Sequence, residues 1–170
     1  PEYVARAFAT AMNGRPGPVV LVLPEDMLAQ TLSHQPHTGA VPSALPRVEA
    51  VDGFFGLQPL SLLREMLLKA DRPLVIAGGV GWSAQTAQAL QRFAENWQLP
   101  VANAFRFQDT FDNLHLMYAG DVGLGINPAL ATRITSADLI LAIGPRLGEI
   151  TSGGYALIEA PLPKQHLVHI

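Results

Sequence analysis

The 170-residue chain contains no cysteine. Disulfides, a thiol nucleophile and Cys-based metal sites are therefore excluded, and the lack is compatible with the cytoplasm. Charge is also scarce: Asp, Glu, Lys and Arg make up 15% of the residues, and the net charge is −3. Without a Lys/Arg cluster there is no electrostatic footprint for nucleic acid, so no nucleic-acid partner is expected. No apolar run approaches the roughly 18 residues of a membrane span, so no membrane partner is expected. P-loop and G-x-S-x-G patterns are missing, as is any repeat with a period of 20–50 residues. The chain opens on Pro1-Glu2-Tyr3, without Met and without a charged stretch leading into an apolar one. It is expected to be a cytoplasmic piece excised from a longer protein.

What is present is apolar and ordered by period. Hydrophobic residues make up 49% of the chain, enough to bury a core and to argue against disorder. Val4, Ala7, Phe8 and Ala11 recur at helical spacing, which predicts a helix over Tyr3–Met12 stopped by Asn13-Gly14. Val19–Leu23 is a continuous apolar run, the pattern of a strand buried on both faces, and Pro24 ends it. From Met27 to Gly56 periodicity dissolves among prolines and small polar residues, which suits an interdomain linker. Order then returns with a helix over Gln58–Ala70, a strand over Leu74–Ala77 and a helix from a Ser83 cap to Trp97. A strand over Pro100–Asn103 follows, and then a mostly irregular Phe105–Gly125. Asn127 caps a short helix over Pro128–Thr135, and strands follow over Leu139–Ile143 and Leu167–Ile170. The alternation predicts an α/β fold with a doubly wound parallel sheet. The expected organisation is a remnant of one domain at 1–26, a linker at 27–57 and a Rossmann-like domain at 58–170.

Open parallel sheets bind ligands outside the carboxyl ends of their strands. Glycine stands there twice, in Gly78-Gly79-Val80-Gly81 and in Gly144-Pro145-Arg146-Leu147-Gly148. The first opens a helix whose free N–H groups favour phosphate, and Gly79–Ala84 fits G-x-G-x-x-A. The acid expected about 20 residues beyond such a fingerprint is missing, since the nearest beyond Asn103 is Asp109. The turn also reads as a plain strand-to-helix connection. Arg146 is placed to clamp a phosphate or to pair with Glu149 or Asp121. Any nucleotide diphosphate is expected between the two glycine turns. Among the five histidines, His115 with Asp109 and Asp112 could form a metal site or be a solvated loop. His34 and His37 fall in the linker, and His166 and His169 point to opposite faces of their strand.

Gly14-Arg15-Pro16-Gly17-Pro18-Val19-Val20-Leu21-Val22-Leu23-Pro24-Glu25-Asp26 resembles the segment that closes the pyrimidine-binding domain of thiamine-diphosphate enzymes of the acetolactate synthase group. Arg72–Gly79 is similar to the first strand of that group's central domain. Leu99-Pro100-Val101, Ala137–Gly144 and Leu167–Ile170 follow in the family's order. The resemblance implies a parent with three α/β domains, in which the first and third hold thiamine diphosphate and magnesium between subunits. It implies 2-oxo acid decarboxylation or carboligation by that parent, and a homo-oligomer. The central domain, a six-stranded sheet in the family, would serve as a structural element or hold FAD or ADP. By motif, its contacts would come from Arg15, Gly78, Gly79, Asn103, Ala104, Gly144, Pro145 and Arg146.

The family's activating glutamate lies upstream of Pro1 and its Gly-Asp-Gly…Asn magnesium motif downstream of Ile170. No catalytic residue and no metal ligand is therefore expected within this chain. The chain departs from the family at Ala119–Gly125 and Arg146–Ile150, the two stretches that line the flavin in acetolactate synthases. Two other readings of the residues stay open here: a stand-alone nucleotide-binding module and a purely structural spacer domain.

Overall fold

The computed structural model describes residues 2–31, 53 and 55–170, which fall into two compact units, 1–54 and 55–170. Most of the expected linker lies outside the described residues.

The first unit has helix α1 (Glu2–Met12) and a single helical turn, α2 (Glu25–Leu28), with no buried residue in either. Between them Val19–Leu23 is extended but belongs to no strand, and all five side chains are exposed. This corrects the expected two-sided burial. An apolar run becomes a buried strand only where neighbours pair with it, and no strand pairs with this one among the described residues.

In the second unit the order is α3 (Leu57–Lys69), β1 (Pro73–Ala77), α4 (Ala84–Trp97), β2 (Val101–Ala104) and a 3₁₀ turn at Gln108–Thr110. β3 (Tyr118–Val122), α5 (Pro128–Ser136), β4 (Leu139–Ile143) and β5 (His166–His169) complete it. The five strands form one all-parallel sheet in the order β3-β2-β1-β4-β5. The sixth strand implied by the resemblance is not among the described residues.

Side chains alternate between the faces, as the two-residue period demands. Val75, Ala77, Val101, Leu139 and Leu141 pack with Leu67 of α3 and Leu90 and Ala94 of α4. Leu74, Ile76, Ala102, Ala104 and Ile140 pack with Leu130 and Ile134 of α5 and with Ile158. The sheet is thus covered on both sides, which explains why its inner strands read as unbroken apolar runs. Both helix caps behave as their sequence predicts: Ser83 Oγ accepts from Thr86 N–H, and Asn127 Oδ1 from Ala129 N–H.

β3 corrects the expectation of irregular chain over Phe105–Gly125. Its sequence, Tyr-Ala-Gly-Asp-Val, lacks an apolar run because it is an edge strand. Its register against β2 shifts between Val101 and Ala102, so that Val101 faces Tyr118 and Ala102 faces Gly120. The extra residue, Ala119, is a bulge of the kind that guards sheet edges and hides period-two patterning.

Candidate functional site

Strand order reverses between β1 and β4, so their carboxyl ends lie side by side at the point where this sheet type opens a crevice. There the two glycine turns touch. Gly78 N–H donates to Ile143 O at 3.1 Å, and Gly79 and Gly144 take φ of +81° and +79°. A Cβ on Gly79 would overlap the carbonyl of Gly144, and one on Gly144 would overlap the carbonyl of Gly78. Their glycine identity follows from this mutual backbone contact. No gap remains between the two turns at this level. Trp82 closes one side by donating from Nε1 to Gly78 O at 2.8 Å.

Gly78 is also the meeting point of two neighbouring loops. A Cβ there would lie 2.7 Å from the Ala104 methyl, 3.1 Å from Phe107 Cδ2 and 3.3 Å from Pro145 Cβ. Asn103, Ala104 and Pro145, expected as ligand contacts, are buried. The Asn103 side chain is taken up by its own following loop: Nδ2 donates to Gln108 O at 3.0 Å, and Oδ1 accepts from the Thr110 hydroxyl at 2.9 Å. Arg146 is exposed, with its Nε about 3.6 Å from where a Gly148 Cβ would sit. Among the described residues it pairs with neither Glu149 nor Asp121. Arg15 is exposed and belongs to the first unit.

Sequence reasoning missed two residues at this edge. His169 Nε2 lies 2.8 Å from Pro145 O; its proton fastens the loop that carries Arg146 to β5. Only its spacing from His166 had been legible. Arg106 has φ +69°, with its guanidinium carbon 5.1 Å from the centre of the Phe105 ring. A non-glycine residue in this conformation costs about 1 kcal/mol, and no sequence signal marks it.

His115 does not converge with Asp109 and Asp112. Its Nδ1 accepts from Met117 N–H at 3.1 Å, which leaves the proton on Nε2 to meet Glu95 Oε1 at 3.0 Å. Asp112 instead accepts from Leu114 N–H.

The groups with displaced pKa values lie away from the carboxyl edge. Burial, with Asp121 charge and hydrogen bonding behind it, pushes Tyr118 up to about 12 at the start of β3. Hydrogen bonds from Gln91 and His115 hold Glu95 below the usual carboxylate range in the last turn of α4. Asp138, just before β4, is raised by burial, but N–H donors from Asp71 and Arg72 outweigh that and lower it. No group with a displaced pKa thus lies at this edge among the described residues.

Residues 60–170 match the family described as thiamine pyrophosphate enzyme, central domain. The chain belongs to this family. It is 28% identical over 171 residues to the acetolactate synthase large subunit of Parasynechococcus marenigrum, covering 98% of this chain and 26% of that protein. It is 30% identical over 148 residues to sulfoacetaldehyde acetyltransferase of Castellaniella defragrans, covering 86% and 23%. Glyoxylate carboligase of Escherichia coli O157:H7 is 28% identical over 172 residues, with 100% and 27% covered. A solved structure from Mycobacterium smegmatis, assigned provisionally as a thiamin diphosphate-dependent enzyme, superposes with a TM-score of 0.64 at 22% identity. That match covers 99% of this chain and 31% of the other, and it bears on the fold. The chain spans about a quarter of the length of these curated relatives. Among the described residues, no helix of this thiamine pyrophosphate enzyme domain is long and apolar enough to cross a membrane.

Proposed function

We propose that the chain is the middle segment of a carboligase or decarboxylase acting on a 2-oxo acid, and that its sheet holds a nucleotide diphosphate, of FAD or ADP, over the carboxyl edge. Family membership and the quarter-length coverage support the first part. In the parent, thiamine diphosphate supplies the carbon chemistry, and it and magnesium are held by domains outside this chain. The residues here bind and space. The observation carrying the nucleotide reading is Arg146: an exposed arginine, unpaired among the described residues, directly beyond a buried strand at the switch point. Its loop is fixed by the His169 contact to Pro145 O and by the Gly79–Gly144 approach. These residues fit the diphosphate portion. The fit there is electrostatic, a planar guanidinium offering paired N–H donors to phosphate oxygens.

Titration of FAD and ADP against the wild-type chain and against Arg146→Ala tests this. Loss of a charged hydrogen-bonded pair should weaken binding by about 2 kcal/mol, roughly thirtyfold. Equal affinity of the two proteins would place the nucleotide elsewhere; no binding at millimolar nucleotide would leave the sheet a spacer between the parent's domains. Given thiamine diphosphate, magnesium and pyruvate, the chain alone should show no turnover above the cofactor-only control. Turnover above it would overturn the middle-segment reading.

A further inference from the structure

We infer that Arg106 is the second arm of an anion clamp, holding the same diphosphate as Arg146 from the opposite side of Gly78. The inference rests on the nucleotide reading above and adds to it a residue that neither motif nor spacing pointed to.

The first observation is conformational. Phe107 N–H donates to Ala104 O at 3.0 Å, closing a β-turn in which Arg106 is the third residue, at φ +69°. That position with positive φ is normally glycine or asparagine. Arg106 is exposed, makes no side-chain hydrogen bond or ion pair among the described residues, and has its guanidinium over the neighbouring Phe105 ring. Packing therefore does not account for a strained arginine where glycine would be relaxed. Strain of this kind at an exposed turn points toward a binding role.

The second observation is placement. The residue after Arg106, Phe107, and the residue before Arg146, Pro145, both abut Gly78. The turn after β2 and the loop after β4 thus both reach one glycine at the switch point, and Arg106 and Arg146 are the chain neighbours of the two residues that touch it. Neither arginine has a carboxylate partner among the described residues. Two uncompensated cations on loops that meet at one glycine would match the charge of a diphosphate.

The third observation is support. The Phe105 ring lies against Gly123, where a Cβ would come within 2.9 Å of its Cδ2. The missing side chain gives the ring its seat, and the guanidinium rests over the ring. A cation held over a ring face keeps its N–H groups available to an anion. The segment that ends β3 thus seats the aromatic ring beneath a cation.

Calorimetric titration of the chain with ADP and with inorganic pyrophosphate, comparing wild type with Arg106→Gly, Arg106→Lys and Arg146→Ala, tests the clamp. Arg106→Gly should melt at the wild-type temperature or above it, because glycine relaxes the turn, yet bind both ligands at least tenfold more weakly. Arg106→Lys should fall between. Unchanged affinity in Arg106→Gly alongside weakened Arg146→Ala would overturn the clamp and leave the nucleotide site standing. Weaker binding with a lowered melting temperature would reduce Arg106 to a folding role and overturn the clamp as well. A wild-type chain that binds neither ligand at millimolar concentration would overturn the nucleotide reading and the clamp together.

Discussion

Two five-residue apolar runs, Val19–Leu23 and Leu139–Ile143, have nearly the same hydrophobic content and opposite fates. In the first, Val20 is 85% exposed and Val22 76%. In the second, Ile140 and Ala142 are fully buried. Their flanks and neighbours differ. The first run stands between Pro18 and Pro24 and pairs with no strand among the described residues. The second lies between β1 and β5, starts at Asp138, which takes N–H groups from Asp71 and Arg72, and ends at the Gly144 contact with β1. An apolar run states a demand for burial, and the rest of the chain decides whether it is met. The chain spans about a quarter of the length of its curated relatives, and the described residues supply no strand that meets this demand for Val19–Leu23.

The sharpest way to break the comparison is to truncate one residue in each run. Ile140→Ala leaves a cavity between β1, α5 and Ile158 and should cost about 3 kcal/mol. Val20→Ala in the same chain should cost under about 0.5 kcal/mol, because that side chain is already in water. Urea denaturation of the second unit reads the first effect. Amide exchange reads the pairing directly: amides of 139–143 should be protected to the level of global unfolding, and those of 19–23 should exchange close to the free-chain rate. Comparable protection of the two runs would sink the distinction.

Much of the fold was legible because the inner strands are covered on both faces and so wrote themselves as apolar runs. Leu74–Ala77 and Leu139–Ile143 were readable for that reason, as were the caps Ser83 and Asn127. β3 was not, because an edge strand with a bulge at Ala119 has neither a run nor an alternation. At the site, glycine and arginine at strand ends were visible from order and spacing. That Gly79 and Gly144 are required by each other was not, since they lie 65 residues apart and nothing local couples them. Arg106 and His169 were invisible for a related reason: a positive φ and a strand-to-loop hydrogen bond leave no mark in composition.

The end of the buried run offers a second, smaller contrast. Gly79→Ala meets both a positive φ and the Gly144 carbonyl and should cost about 3 kcal/mol, combining left-handed strain with overpacking. Gly81→Ala has φ +90° but open space around it and should cost about 1 kcal/mol. Thermal melts of the two variants check the difference. Similar losses would mean that backbone conformation, and not the closure of β1 against β4, fixes glycine at this turn.

The start of the run gives the smallest effect and a pH signature. Asp138 Oδ2 accepts from Asp71 N–H at 2.7 Å, and its two oxygens share Arg72 N–H at 3.0 and 3.1 Å. These donors favour the charged carboxylate, so its pKa is lower folded than the ordinary value of 3.8. A group depressed in this way adds stability above its unfolded pKa, and that stability disappears as pH falls through the folded pKa. Asp138→Asn keeps the shape but turns an N–H₂ toward backbone donors. Since the carboxylate is partly solvated, the loss should be about 0.5 kcal/mol at neutral pH. The gap between wild type and variant should hold from pH 7 to about pH 5 and close below about pH 4. A gap that instead widened on acidification would mean that the folded carboxyl is raised, with burial prevailing over the two amides, and β4 would then be anchored at its start by pairing with β1 alone.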